Sequence, residues 1–127
     1  MNPWEVGFYQ AEDLRAYEVE ASGNYVYVED ANYNMRIIDV SDPQNPVEIT
    51  TFVTEVIDIS DIEVSGHVVF AGSYVKGMIV IDVSDPYNPV QLDEFPTFYT
   101  RAITIRENHI YELARGSGLI VYEYRRQ

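Results

Sequence analysis

The chain has 127 residues, of which 46% are apolar, and it contains no cysteine. This apolar content is sufficient for the core of one domain, and the lack of cysteine excludes disulfide bonds and cysteine-bound zinc. A formal net charge of -13 opposes binding to nucleic acid or anionic membranes, because their phosphates would be repelled. The first ten residues lack the basic and apolar regions of a signal peptide, so we expect a chain that is soluble as written and not inserted in a membrane.

An internal repeat divides the sequence into three similar units. Residues 38–47 (IDVSDPQNPV) and 81–90 (IDVSDPYNPV) differ at one position, and the pair Asn-Pro recurs at intervals of 43 residues, beginning at Asn2, Asn45 and Asn88. Repeats of roughly 40–50 residues that consist of short strands are typical of β-propeller blades.

Alternating apolar and polar residues predict four short strands, A to D, in each unit, and no helix. The predicted ranges in chain order are D at 4–9; A, B, C and D at 17–21, 25–28, 35–40 and 47–52; the same four at 60–64, 68–71, 78–83 and 90–95; and A, B and C at 101–105, 109–112 and 119–124. The A–B turns lie at 22–24, 65–67 and 106–108, where Gly or Asn can adopt a positive φ.

The order of these strands predicts an incomplete blade at each end of a single unit, 1–127. Residues 1–10 supply a lone D strand, 14–53 and 57–96 are complete sets, and 99–127 form an A-B-C set without its own D strand. Because propellers usually have about four to eight blades, we expect two chains to close one six-bladed ring as a homodimer. The strand at 4–9 would then complete the last blade of the partner. The alternative is that the chain is a fragment of a longer propeller.

Two motifs of the first unit, at 22–28 (SGNYVYV) and 35–46 (MRIIDVSDPQNP), resemble those of the LVIVD-repeat family. The resemblance covers essentially the whole chain, with departures at Asn34, where the family has Gly, and at 123–126, where EYRR replaces Asp-Val-Ser-Asp. It implies a β-propeller found in the microbial envelope or among secreted proteins. It implies no particular activity, because propellers carry unrelated functions.

Candidate ligand-binding residues lie where the innermost strands begin. Glu18 and Asp61 align in successive units, next to Tyr17, and Arg101 aligns with Tyr17 in the third unit. We expect an acidic channel mouth that holds a cation or orients sugar hydroxyls, with Arg101 as a counter-charge. The alternative is a solvated rim that keeps an acidic protein soluble.

Loop tyrosines could stack on a sugar at Tyr33, Tyr74 and Tyr99. Trp4 aligns with Val47 and Val90 and is predicted to be a core residue instead. The stretch Asp30, Asn32, Asn34 is similar to the opening of a calcium loop, but Met35 stands where such loops need Gly and no Glu follows at the twelfth position. We therefore expect no cofactor, with calcium as the alternative.

These features predict a non-enzymatic binding or scaffold module that presents an acidic loop face to a protein partner. One alternative is a propeller that binds carbohydrate or another small ligand. A second is a hydrolase that uses channel carboxylates, although no nucleophile and base can be named for it.

Overall fold

The protein folds into β-strands joined by short turns, and no helix occurs among the residues that the structure describes. This computed structural model describes residues 2–11, 14–32, 34–53, 59–75, 77–95 and 99–125. The strands are β1 (Glu18–Ser22), β2 (Tyr25–Glu29), β3 (Met35–Asp39), β4 (Val47–Phe52), β5 (Ile59–Ser65), β6 (Val68–Ser73), β7 (Gly77–Asp82), β8 (Val90–Phe95), β9 (Thr100–Arg106), β10 (His109–Ala114) and β11 (Gly118–Glu123). The predicted all-β class is confirmed.

The strands form three antiparallel sheets, each made of consecutive strands. Their orders are β1-β2-β3-β4, β5-β6-β7-β8 and β9-β10-β11, and we call them blades 1, 2 and 3. Every strand predicted from residue 17 onward is present within two residues of its predicted bounds. The tight A–B turns explain this agreement, because the turn length sets the register of the two strands that it joins.

The blades pack face to face, with β1 adjacent to β5 and β5 adjacent to β9. One core between blades 1 and 2 includes Tyr27, Met35, Ile37, Ile62, Ile79 and Ile81. A second core between blades 2 and 3 includes Phe70, Met78, Val80, Ile103 and Ile110. Blade 2 is therefore covered on both faces, as are the blades of a propeller.

The outer face of blade 3 is apolar and exposed in the single chain. Leu119 and Val121 are 65% and 52% exposed, whereas their repeat equivalents in blade 2, Met78 and Val80, are 0% exposed in the core against blade 3. This face thus has the composition of a surface that a further blade would cover.

Residues 2–11 form no strand in the single chain, although a D strand is predicted at 4–9. The segment nevertheless lies close to blade 1. A Cβ atom added at Gly7 would stand 2.1 Å from the carbonyl oxygen of Pro43. Burial and the negative charge of Glu48 raise the pKa of Tyr9, which places its hydroxyl near that carboxylate. Strand pairing requires a neighbouring edge for the backbone N–H and C=O groups, so pairing with a second chain stays a prediction.

The prediction that Trp4 is a core residue is wrong for the single chain. Trp4 is 80% exposed, and its equivalents Val47 and Val90 are each 56% exposed. Alignment with apolar strand residues is misleading here, because Val47 and Val90 begin the outermost strands of blades 1 and 2, and the position lies at the surface in all three copies.

The third A–B turn has a strained residue where the first two have glycine. Gly23 and Gly66 have φ values of 60° and 61°, and Glu107 adopts 56° at the equivalent place. We expect Glu107→Gly to raise the free energy of unfolding by roughly 0.5–1 kcal/mol, because a side chain disfavours this conformation. Urea denaturation of both proteins measures this difference in the free energy of unfolding.

The control for this prediction is Gly23→Ala, whose Cβ would meet no atom within 4 Å. It isolates the same backbone cost and should lower stability by about 1 kcal/mol. If Glu107→Gly left stability unchanged or lowered it, the strain assigned to this turn would be wrong.

Candidate functional site

Four carboxylates lie on the first strands of blades 1 and 2. Glu18 and Glu20 alternate along β1, and Asp61 and Glu63 alternate along β5, so each pair shares one face of its strand. We call them the inner-strand carboxylates. The sequence-based prediction included Glu18 and Asp61 but missed Glu20 and Glu63, although the two-residue spacing of a strand was the available signal.

The inner-strand carboxylates interact electrostatically. Burial raises the pKa of Glu18, and the charge of Asp61 raises it further. For Glu63 the pKa is raised to about 7, first by burial and then by the charges of Glu20, Asp61 and Glu18. The ionised forms of Glu18 and Glu63 are therefore destabilised, because like charges lie close together in a partly desolvated environment.

Asp61 also joins blades 2 and 3. Its Oδ1 accepts a hydrogen bond from the backbone N–H of Ile62 at 2.9 Å, and its Oδ2 accepts one from the N–H of Ile103 on β9 at 2.8 Å. These bonds lower the pKa of Asp61, but burial outweighs them and the net change is upward. Asp61, which the sequence predicted as a ligand-binding residue at the channel mouth, thus helps to hold blades 2 and 3 together.

A cavity of about 380 Å³ opens between blades 1 and 2. Two tyrosines, Tyr17 and Tyr74, and two carboxylates, Glu18 and Glu29, contribute to its lining, together with Ala31, Ile59 and Ser60. We call it the interblade cleft. Tyr17 is 66% exposed and Tyr74 38%, whereas Glu29 is only 2% exposed. The structure thus brings three of the predicted residues together and adds Glu29, which sequence reasoning missed.

Tyr74 also contacts another aromatic residue, Tyr99. The ring centroids of Tyr74 and Tyr99 are 5.0 Å apart, and the guanidinium carbon of Arg115 is 5.1 Å from the centroid of Tyr99. Tyr99 has a φ of 62°, a conformation that a bulky residue rarely adopts. Arg115 was missed by sequence reasoning, since it enters this cluster from the turn after β10.

Two predicted residues fall elsewhere. Arg101 is exposed on β9, and the described part of the chain shows no ion pair between it and Glu18 or Asp61. Its role as a counter-charge stays a prediction. Tyr33 lies outside the described residues.

The loop that begins at Asp30 does not suit a calcium ion. Asp30 is 0% exposed, and its Oδ1 accepts hydrogen bonds from the backbone N–H groups of Asn32 and Asn34 at 2.8 and 3.0 Å. Its Oδ2 accepts a hydrogen bond from Nε of Arg36 at 2.8 Å. A positive guanidinium group at this carboxylate would repel a second cation, so the pattern Asp-x-Asn-x-Asn serves a turn here.

Within the described ranges, no group of three or more His, Cys, Asp or Glu side chains could hold a metal ion. Nor does the described chain contain a helix of the length and apolar character needed to cross a membrane.

Comparison with known proteins gives the family. The model of the LVIVD repeat matches residues 15–54 and 58–97. The chain belongs to the LVIVD-repeat family. Each matched range of this LVIVD-repeat protein contains the four strands of one blade, β1–β4 or β5–β8.

No curated protein matches the LVIVD-repeat chain in sequence. Among solved structures it is similar to the computationally designed Ika4 protein, with a TM-score of 0.56 over 98% of this chain and 100% of that one. The two sequences are 10% identical, so the likeness concerns the fold alone.

Removal of Asp61 should weaken the packing of blade 2 on blade 3. Asp61→Ala leaves the part-buried N–H of Ile103 without this acceptor, so we expect a loss of about 1–3 kcal/mol in the free energy of unfolding. Chemical denaturation measures the loss. The control is Glu18→Ala, which removes no side-chain hydrogen bond seen among the described residues and should change stability by less than about 0.5 kcal/mol. Equal effects of both variants would refute the structural role of Asp61.

Stability should rise as the pH is lowered from about 8 to 5. The pKa of Glu63 is about 7 in the folded protein against 4.5 ordinarily, so folding favours its protonated form. Its stabilising contribution is complete below the unfolded pKa and is lost as the pH rises through 7. Thermal denaturation across this range measures the trend.

The matched variants are Glu63→Gln and Glu94→Gln, the latter on exposed β8. Glu63→Gln should flatten the trend by roughly 1 kcal/mol, a figure reduced for solvent screening. Glu94→Gln should leave it intact. A wild-type protein that became steadily less stable between about pH 8 and 5 would contradict this expectation.

Proposed function

We propose that this LVIVD-repeat chain is a non-enzymatic scaffold module that closes into a six-bladed ring with a second copy and presents an acidic surface to a protein partner. The observation that best supports this proposal is the exposed apolar face of blade 3. Leu119 and Val121 are 65% and 52% exposed, although the equivalent side chains of blade 2, Met78 and Val80, lie in a core. A surface of this kind is a docking site or an aggregation hazard.

The opposite end of the chain has a face that can pack against it. Val19 of β1 is 64% exposed, whereas its equivalent in blade 2, Ile62, is 2% exposed in the core against blade 1. The open face of blade 1 therefore corresponds to the face of blade 2 that packs against the preceding blade. Two copies related by a twofold axis would bury both open faces at two equivalent seams.

The position of residues 2–11 supports a second copy as the occupant. Tyr9 is the repeat equivalent of Phe95, and Phe95 of β8 stacks on Tyr122 of the following blade with centroids 4.7 Å apart. Tyr9 likewise lies on the following blade, near Glu48 of blade 1. This position supports the proposal that the segment pairs with β11 of another copy as the last strand of a preceding blade.

Two observations favour binding over catalysis. Both oxygens of Asp61 accept backbone hydrogen bonds, which leaves the pair Glu18 and Asp61 poorly suited to acid–base work. The net charge of -13 favours basic protein partners, since long-range attraction raises their rate of association.

Light scattering coupled to size exclusion tests the ring. We expect twice the chain mass of 14.6 kDa, independent of dilution. Leu119→Lys should yield monomer, because it places an unpaired charge at both seams. Deletion of residues 2–10 should lower the melting temperature and weaken the dimer.

The matched control is Val90→Lys, an equally simple change at an apolar residue that is 56% exposed on β8. It lies at the outer edge of blade 2, away from the open faces, so the dimer should persist. A wild-type monomer, or a dimer that survives both Leu119→Lys and the deletion, would exclude this mode of closure.

A further inference from the structure

The interblade cleft is open at one blade junction, and the corresponding place is filled at the next. Glu29 and Gly72 are repeat equivalents, on β2 and β6. A Cβ atom added at Gly72 would stand 2.6 Å from Cγ2 of Thr100, so side chains of blades 2 and 3 fill that space. Between blades 1 and 2 a cavity of about 380 Å³ remains. A space of this size is within the range of small-ligand sites.

Two tyrosines give the cleft aromatic walls on a fixed backbone. Tyr17 and Tyr74 line it, and both are partly exposed, so a ligand from solvent can reach their rings. The backbone N–H of Tyr17 donates a hydrogen bond to the carbonyl oxygen of Glu29 at 3.1 Å. In the turn that carries Tyr74, the N–H of Val75 donates one to Oγ of Ser73 at 3.0 Å. Because this backbone is fixed in advance, less conformational freedom is lost when a ligand binds.

Tyr99 extends the aromatic surface beyond the cleft. Its ring centroid lies 5.0 Å from that of Tyr74, and its φ of 62° is costly for a bulky residue. The backbone N–H of Arg115 donates a hydrogen bond to the carbonyl oxygen of Tyr99 at 3.0 Å, and the guanidinium group of Arg115 lies against its ring. Residues that their surroundings hold in such a strained conformation are concentrated at functional sites. The strain therefore points to a use of this ring in binding.

Glu18 supplies a hydrogen-bond acceptor in the same cleft. Its side chain contributes to the lining, next to Tyr17, and it makes no side-chain hydrogen bond among the described residues. A carboxylate can accept hydrogen bonds from two neighbouring hydroxyl groups, and such charge-assisted bonds are stronger than neutral ones. Glu29 already interacts within the protein, so Glu18 is the acceptor that we assign to a ligand.

This combination of groups matches the two sides of a sugar ring. A pyranose has a face of C–H groups, which packs on an aromatic ring, and hydroxyl groups on adjacent carbons, which donate hydrogen bonds at its edge. The net charge of -13 favours neutral sugars over uronic acids and other anionic sugars, because like charges repel.

We infer that the interblade cleft binds a neutral saccharide. One sugar ring packs against Tyr17 and Tyr74 in the cleft and donates hydroxyl hydrogen bonds to Glu18, and the next ring of the glycan contacts Tyr99. This inference goes beyond the proposed scaffold role. It does not rest on ring closure, because the whole cleft belongs to one chain.

A glycan array tests the inference. The labelled full chain is applied to neutral oligosaccharides of hexoses and N-acetylhexosamines and to oligosaccharides that contain uronic acids. We expect saturable binding to neutral glycans and none to the uronic acids. Binding to no glycan of the array, or a preference for the uronic acids, would overturn the inference.

Titration calorimetry with the neutral oligosaccharide that binds most strongly on the array locates the site. Tyr74→Ala and Glu18→Gln should each weaken its affinity about tenfold, since they remove a stacking surface and a charged acceptor. Tyr74→Phe should keep most of the affinity, because the ring remains. Circular dichroism and melting curves verify that each variant is folded.

Matched controls separate the cleft from the rest of the surface. Tyr87→Ala removes a tyrosine that is 60% exposed in another turn, and Glu94→Gln removes one carboxylate from exposed β8. Both should retain wild-type affinity. Equal weakening by Tyr87→Ala and Tyr74→Ala would overturn the assignment to the cleft. Light scattering on the same samples distinguishes failure of the ring from failure of the site, since a monomer that binds the oligosaccharide retains the cleft.

Discussion

The structure depends on one constraint, which is that each blade must have both of its apolar faces covered by neighbours. Blade 2 satisfies it within the chain: Ile79 and Ile81 lie in the core toward blade 1, and Met78 and Val80 lie in the core toward blade 3. Blades 1 and 3 satisfy it on one side only. Alternation along a strand sends successive side chains to opposite faces, so β7, buried on both faces, reads as a continuous apolar run. The exposed residues Leu119 and Val121 of blade 3 correspond to Met78 and Val80 of blade 2, but no further blade of the same chain covers them.

Differences between the repeats determine what each blade junction can do. At the junction of blades 2 and 3, Gly72 admits the side chain of Thr100, and Asp61 accepts the N–H of Ile103, which produces a closed seam. At the junction of blades 1 and 2, Glu29 replaces that glycine and the space stays open. The apolar positions that build the cores are similar in both units. Stability is therefore supplied by the repeated residues, while a binding site can arise where one repeat departs from the others.

Local patterns made the strands predictable, whereas packing between blades decided the site. The turns and the alternation from residue 17 onward define β1 to β11 without knowledge of the neighbours. The spacing of a strand places Glu20 with Glu18 and Glu63 with Asp61, but Glu29 could not be selected in this way, because nothing in a single strand tells which of its faces meets another blade. The calcium-like pattern at Asp30 shows the same limit, since Arg36, on the next strand, determines what that carboxylate binds.

The inner-strand carboxylates repel one another, and the protein folds despite this repulsion. The like charges of this group raise the pKa values of Glu18 and Glu63, so ionisation of these two side chains opposes folding at neutral pH. Buried apolar side chains on both sides of blade 2 offset that cost. A charge arrangement that lowers stability without serving the core is the kind of local conflict that tends to mark function.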